Sequence, residues 1–213
     1  MSSEAPSNCS DLAGEVRDHP GTLVLIVGPS GAGKDTLIDG ARRIVLSPDA
    51  RSPFYFPRRA IDRAAHASED FIPVPSSAFG DSPTGPAFAL QWSAHGTRYG
   101  IPISIVPHLA SGGVVVVNVS RTVVEKARAT FARVFVVNVT CPPETRARRL
   151  AERGRETDRE IGARMARTIS GFDPAVVDYV IDNSGAPEEG IAKLVEILNF
   201  AVATSVRERL TTG

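Results

Sequence analysis

The chain has 213 residues and carries 24 basic and 24 acidic side chains, so its formal charge near neutrality is zero. That balance excludes a broad electrostatic footprint for nucleic acid or an anionic membrane surface, and no apolar run reaches the length of a membrane span. A hydrophobic fraction of 42% is enough for one buried core and far from the composition of a disordered chain.

Residues 1–20 are polar and aperiodic, which predicts a disordered N-terminal tail; lacking an apolar signal core, they predict a cytoplasmic protein. Leu23-Val24-Leu25-Ile26-Val27 is an unbroken apolar run, the pattern of a buried parallel strand. Gly28-Pro29-Ser30-Gly31-Ala32-Gly33-Lys34-Asp35-Thr36 follows, and Leu37 to Leu46 is helical in pattern. Strand, glycine-rich turn and helix form the context in which G-x-x-x-x-G-K binds phosphate. The glycines let N–H groups converge on an anion, the helix N-terminus adds partial positive charge, and Lys34 reaches the outer phosphates. A flexible glycine turn ending in lysine is the bland alternative. Lys34 is one of only three lysines, with Lys126 and Lys193, in a chain whose other basic residues are all arginine. The usual hydroxyl after the lysine is replaced by Asp35, with a hydroxyl only at Thr36. Asp35 and Thr36 are therefore the candidate magnesium positions, Asp35 directly or through water, with Thr36 also placed to bond an inner phosphate.

Pro48 ends the first helix. Residues 53–63 predict a short strand leading into a basic corner, Phe71 to Val74 a proline-limited edge strand, Phe88 to Trp92 a strand and Tyr99 to Pro102 a turn. The stretch of about 53–106 is thus an irregular insert on the edge of a parallel sheet. Regular alternation then resumes: a buried strand at 113–119, a helix at 121–131, a strand at 134–139, a helix from Pro142 to Arg153 and another at 158–168. A last strand at 176–181 and an amphipathic helix from Glu188 to about Arg207 follow. The order predicts an α/β, doubly wound parallel sheet with helices on both faces. Cys9 and Cys141 are too few and too distant for a disulfide framework or a metal site, and the scattered histidines have no ligand spacing.

Beyond the phosphate loop, the chain resembles the guanylate-kinase-like branch of the P-loop nucleoside-monophosphate kinases over nearly all of residues 21–205. The matching features are Gly33-Lys34-Asp35-Thr36, Arg63 followed by Glu69-Asp70-Phe71, Phe79, Phe88, His95-Gly96 with Tyr99-Gly100, Arg149-Leu150, Arg153-Gly154, Arg164 and Asp178 to Asn183. The resemblance implies a P-loop NTPase kinase domain over 21–213, with a small acceptor-binding insert and a helical lid at about 150–168. It departs where guanylate kinases place a guanine-reading glutamate, here Leu90, and where carboxylates follow the valine strand, here Asn118 and Ser120. With Arg59-Ala60-Ile61-Asp62-Arg63, Ala89-Leu90-Gln91-Trp92 and Asn118-Val119-Ser120-Arg121, the set is similar to the ribose 1,5-bisphosphate phosphokinases. That likeness implies ATP and Mg2+ as cofactors, a small phosphorylated sugar as partner and 5-phosphoribosyl 1-diphosphate as product. A nucleoside-monophosphate kinase with altered base choice and a non-catalytic interaction module are the alternatives. Oligomeric state is left open.

A phosphate acceptor is already ionised near neutrality, its second pKa being about 6, so no general base is needed and the demand is for cations. Arg59, Arg63 and Tyr99 are the acceptor-phosphate candidates, with Arg98 and His95 as additions; Arg59 and Arg63 also fit sheet-edge guards. Lys34, Arg149, Arg153 and Arg164 are the catalytic candidates, the three arginines closing a lid over ATP. Their alternative is solvated helix faces in an arginine-rich chain. Asn183, after the last strand, is implied to contact the adenine side of ATP; a plain strand-end asparagine is the alternative.

Overall fold

The computed structural model describes residues 19–46, 52–64, 70–80, 88–94, 96–152 and 172–211. The apolar run forms β1 (Thr22–Val27), every residue of which is buried. It is the centre of a five-stranded sheet with β2 (Phe54–Tyr55), β7 (Val114–Asn118), β8 (Val134–Thr140) and β9 (Tyr179–Asp182), in the order β2-β7-β1-β8-β9. All four pairings are parallel. Parallel strands buried on both faces read as continuous apolar runs, which is why 23–27 and 114–117 were legible.

Successive side chains of β1 point to opposite faces. Leu23, Leu25 and Val27 pack with Ile105 and Leu109 of α2 (Ile105–Ala110) and with Val124 and Ala127 of α3 (Val124–Thr130). Val24 and Ile26 pack on the other face with Leu37 and Ala41 of α1 (Lys34–Val45) and Leu194 and Leu198 of α5 (Pro187–Thr211). Each fully buried aliphatic side chain contributes about 1.5–3 kcal/mol, so β1, buried along its whole length and covered on both faces, is firmly anchored. No described helix is long and apolar enough to cross a membrane.

Within residues 53–106, Phe54–Tyr55 belongs to the main sheet, while β3 (Arg59–Ile61), β4 (Phe71–Pro73), β5 (Phe88–Ala94) and β6 (Thr97–Pro102) make a second sheet ordered β4-β3-β6-β5. β4, with its proline, is an edge, as expected. Residues 99–102 are not a turn but the last four residues of β6. The reversal lies at Gly96, whose φ of 71° suits glycine. Gly100 was misleading: it lies within the strand because a Cβ there would sit 2.5 Å from the Phe88 ring, which packs across it. Leu90 and Ile101 share a core with Leu23 and Leu25, so the second sheet leans on the first. The last strand starts at Tyr179 rather than 176, because Pro174–Val176 forms a short 3-10 turn capped by the Asp173 carboxylate. The helix expected at 158–168 lies outside the described residues.

Gly40 separates two opposing effects. Gly→Ala in a helix interior gains about 1 kcal/mol from propensity. At this site the new Cβ would meet Ile191 Cδ1 at 2.3 Å and Cγ1 at 2.7 Å, where α1 crosses α5. A β-branched side chain in a helix has essentially one χ1 well and cannot swing away. Overpacking of about 1–3 kcal/mol therefore wins, and Gly40→Ala is expected to lower the urea unfolding midpoint; a raised midpoint would show that the helices separate freely.

Candidate active site

The loop from Gly28 to Gly33 leaves the buried end of β1 and enters α1, and its backbone is gripped from two sides. Beneath it, Asn183 is 3% exposed and donates from Nδ2 to Ala32 O at 2.8 Å, while its backbone N–H donates to Thr140 O at 2.8 Å. Gly33, at φ 89°, makes this possible: a Cβ there would lie 2.3 Å from Asn183 Nδ2. Alongside, α4 (Pro143–Glu152) lies against Gly31, and Arg146 Nε donates to Ser30 O at 3.0 Å. Lys34 Nζ donates to Gly28 O at 2.9 Å and Pro29 O at 3.0 Å. A phosphate entering the loop competes with those two carbonyls for the ammonium.

Asp35 lies in the first turn of α1, where the helix dipole favours a carboxylate. Its Oδ1 accepts from Asn118 Nδ2 at 2.6 Å and lies 3.8 Å from Arg59 Nη2, while Arg59 Nη1 donates to Asn118 O at 3.5 Å. Helix α1, the end of β7 and the start of β3 therefore meet at one carboxylate. β3 is interior to its sheet, so Arg59 does not guard an edge. Asp35 keeps 59% exposure. Among the described residues no three metal-type side chains gather. A divalent ion here would take one carboxylate, the exposed Thr36 hydroxyl and phosphate oxygens, a donor set that suits Mg2+.

Arg149 brings Nη1 to 3.5 Å from the Cβ position of Gly33, buried and without a hydrogen-bond partner. A buried guanidinium N–H beside a phosphate loop fits an anion, so ATP phosphates suit this cradle. Arg121, in the 3-10 turn after β7, donates from Nη2 to Asn138 Oδ1 at 3.3 Å and lies 5.0 Å from the Phe172 ring centre. Burial, followed by repulsion from Arg146, lowers its pKa. Arg121 and Arg146 are site residues that sequence reasoning assigned no role. The i, i+3 spacing of Arg146 and Arg149 behind Pro142-Pro143 was the signal available for one of them.

The remaining candidates lie on the second sheet. Arg63 stacks 4.7 Å over Phe71 and shares a shallow cleft of about 370 Å³ with Asp62 and Pro73 to Pro75. Arg98 Nη1 donates to Ser76 O at 3.1 Å. Tyr99 stacks on Trp92 at 5.3 Å. Leu90 is fully buried and has no polar group to offer an acceptor. His95, Arg153 and Arg164 lie outside the described residues.

Residues 82–198, more than half of the chain, match the family of chloramphenicol phosphotransferase-like proteins. The chain is 46% identical over 176 residues to a ribose 1,5-bisphosphate phosphokinase of Methylobacterium radiotolerans, covering 83% of this chain and 96% of the relative. A ribose 1,5-bisphosphate phosphokinase of Acidiphilium cryptum is 49% identical over 179 residues, covering 84% and 92%. Among solved structures, guanylate kinase of Anaplasma phagocytophilum superposes with a TM-score of 0.58 at 19% identity, covering 85% of this chain and 86% of that one, a likeness of fold.

Cys141 follows β8 and lies 4.0 Å from Gly31 O, so it is a reporter on the loop. Burial raises its pKa, against the opposing pull of Arg149 and Arg146. A raised value keeps the thiol protonated and unreactive below the ordinary thiol range. Alkylation at Cys141, followed by peptide mapping, is expected to be slow at pH 7 and to accelerate only above pH of about 9; rapid labelling at pH 7 would show that the arginines dominate.

Proposed function

This chain belongs to the ribose 1,5-bisphosphate phosphokinases and, over residues 82–198, to the chloramphenicol phosphotransferase-like proteins; on that footing we propose that it transfers the γ-phosphoryl group of ATP to the 1-phosphate of ribose 1,5-bisphosphate, giving 5-phosphoribosyl 1-diphosphate and ADP. The observation that carries the reading is the junction at Asp35, where the phosphate loop's helix and the acceptor sheet's Arg59 converge through Asn118.

The residues divide the work by charge. Gly28 to Gly33 present backbone N–H groups to the donor phosphates, and Lys34 exchanges its two carbonyl partners for phosphate oxygens. Asp35 and Thr36 hold Mg2+, which neutralises charge on the phosphates when bound. Arg149 covers the loop from α4. Asn183 holds Ala32 O below the loop, beside the adenine-side contact that the resemblance implies for it. Arg59 meets the acceptor phosphate beside Asp35, with Arg63, Arg98 and Tyr99 along the second sheet for the remainder of the sugar phosphate. Arg153, Arg164 and His95 keep the lid and acceptor roles implied by resemblance. A fork of N–H donors holds a phosphate in one orientation, and aligning two polyanions supplies most of what this chemistry requires.

The test is ADP release from ATP and Mg2+ with ribose 1,5-bisphosphate, run beside GMP, with the product identified by mass. Turnover is expected with the bisphosphate and not with GMP. Lys34→Ala and Arg59→Ala are each expected to reduce kcat/KM by about a hundredfold or more, since each removes charge stabilisation at the reacting phosphates. Turnover with GMP instead would mean that this acceptor site reads a base.

A further inference from the structure

Three guanidiniums, those of Arg121, Arg146 and Arg149, gather around the loop, and among the described residues no carboxylate pairs with any of them. Arg146 is accounted for by its bond to Ser30 O, and Arg149 by its place over Gly33. Arg121 is not. Its Nη2 bonds Asn138, which pairs in the sheet with Val27, the last residue of β1 before the loop. Its face is covered by Phe172. Its Nε is buried and has no hydrogen-bond partner. Arg146 is close enough to repel it.

A structural strut would be built differently. A cation held for its contact with an aromatic ring gains nothing from a like-charged neighbour, and a buried N–H without an acceptor is a cost to the fold. Like charges placed together without a counter-charge become favourable when an anion arrives between them. Position narrows which anion. Arg121 lies three residues past Asn118, which joins the acceptor-side cluster of Asp35 and Arg59, while Arg146 beside it is bonded to the donor loop at Ser30.

We propose that Arg121, with Arg146, forms a phosphate seat between the donor loop and the acceptor cluster, and that it holds the acceptor's 1-phosphate as that group takes the migrating phosphoryl. The seat rests on the phosphotransfer reading above. It makes Arg121 a direct ligand of substrate, whose planar fork would fix the attacking oxygen in line with the donor.

Full-length Arg121→Met and Arg121→Lys test it by turnover, and by melting temperature with inorganic phosphate added on top of saturating ADP. Without ligand, Arg121→Met is expected to melt at or above the wild-type temperature, since a repelled, unpaired cation has been replaced by an apolar side chain. With ATP, Mg2+ and ribose 1,5-bisphosphate its kcat is expected to fall by about a hundredfold or more, with KM for ATP changed less than about threefold. Arg121→Lys should recover only part of kcat, because a point charge replaces the fork. Added phosphate should raise the melting temperature of wild type and not of Arg121→Met. A Met variant within about threefold of wild-type kcat overturns the proposal. So does a Met variant that melts well below wild type while Arg121→Lys is fully active, the mark of a strut. If wild type is inert towards the bisphosphate, the reading of the reaction falls and the phosphate arm alone decides the seat: equal shifts in wild type and Arg121→Met overturn it, and a shift confined to wild type upholds it.

Discussion

The hydrogen bond from the buried amide of Asn183 to Ala32 O is the constraint on which the active end of the molecule depends. A loop that is to bind anions must turn its N–H groups inward and dispose of its carbonyls elsewhere. Asn183 takes one carbonyl from below, Arg146 takes that of Ser30 from the side, and Lys34 bridges those of Gly28 and Pro29. Each of these partners comes from a different element: the end of β9, helix α4 and the first turn of α1. The loop's shape is therefore a property of the assembled sheet rather than of its own sequence. Gly33 serves twice, adopting a left-handed backbone conformation and leaving space for an amide.

Charge is distributed with the same economy. The chain is neutral as a whole, yet the neighbourhood of the loop is strongly cationic, with Lys34, Arg121, Arg146 and Arg149 gathered there and Asp35 the carboxylate in the first turn of α1. Other arginines are paired: Arg128 with Asp178 at 2.7 Å, and Arg58 with Asp70 at 2.6 Å. Such surface pairs contribute little to stability, about 0–1 kcal/mol each. Among the described residues, no carboxylate pairs with Arg121, Arg146 or Arg149, and Arg121 lies within repelling reach of Arg146.

Much of this was legible in the sequence, for identifiable reasons. β1, the loop and α1 were readable because a buried parallel strand, positive-φ glycines and a 3.6-residue period occur in succession at 22–45. The valines of β7 and β8 and the amphipathic α5 were readable on the same grounds. The family resemblance drawn from Leu90, Asn118 and the arginine motifs agrees with relatives that match over most of their own length. What escaped reading was set by tertiary contact. Tyr99 to Pro102 carries turn residues, but its glycine answers to the Phe88 ring across the sheet. Helix α2 is six residues long with a proline inside it, too short to show a period. The side-chain partners of Asn183, Arg121 and Asn118 lie on other elements, and no local pattern reports which way such a side chain turns.

Placing β1 at the middle of an all-parallel sheet has a consequence for how the chain acquires its activity. β1 has no strand partner until β7 begins at Val114, and its second partner begins at Val134. Pairings of such long sequence separation are slow to close and leave an apolar strand exposed until they do. The segment that carries the nucleotide loop is synthesised before the strands that complete its sheet. The loop is completed last, when Asn183 arrives at the end of β9. A nascent or truncated chain ending before that residue would hold every glycine of the motif and still lack the grip that makes the motif a site.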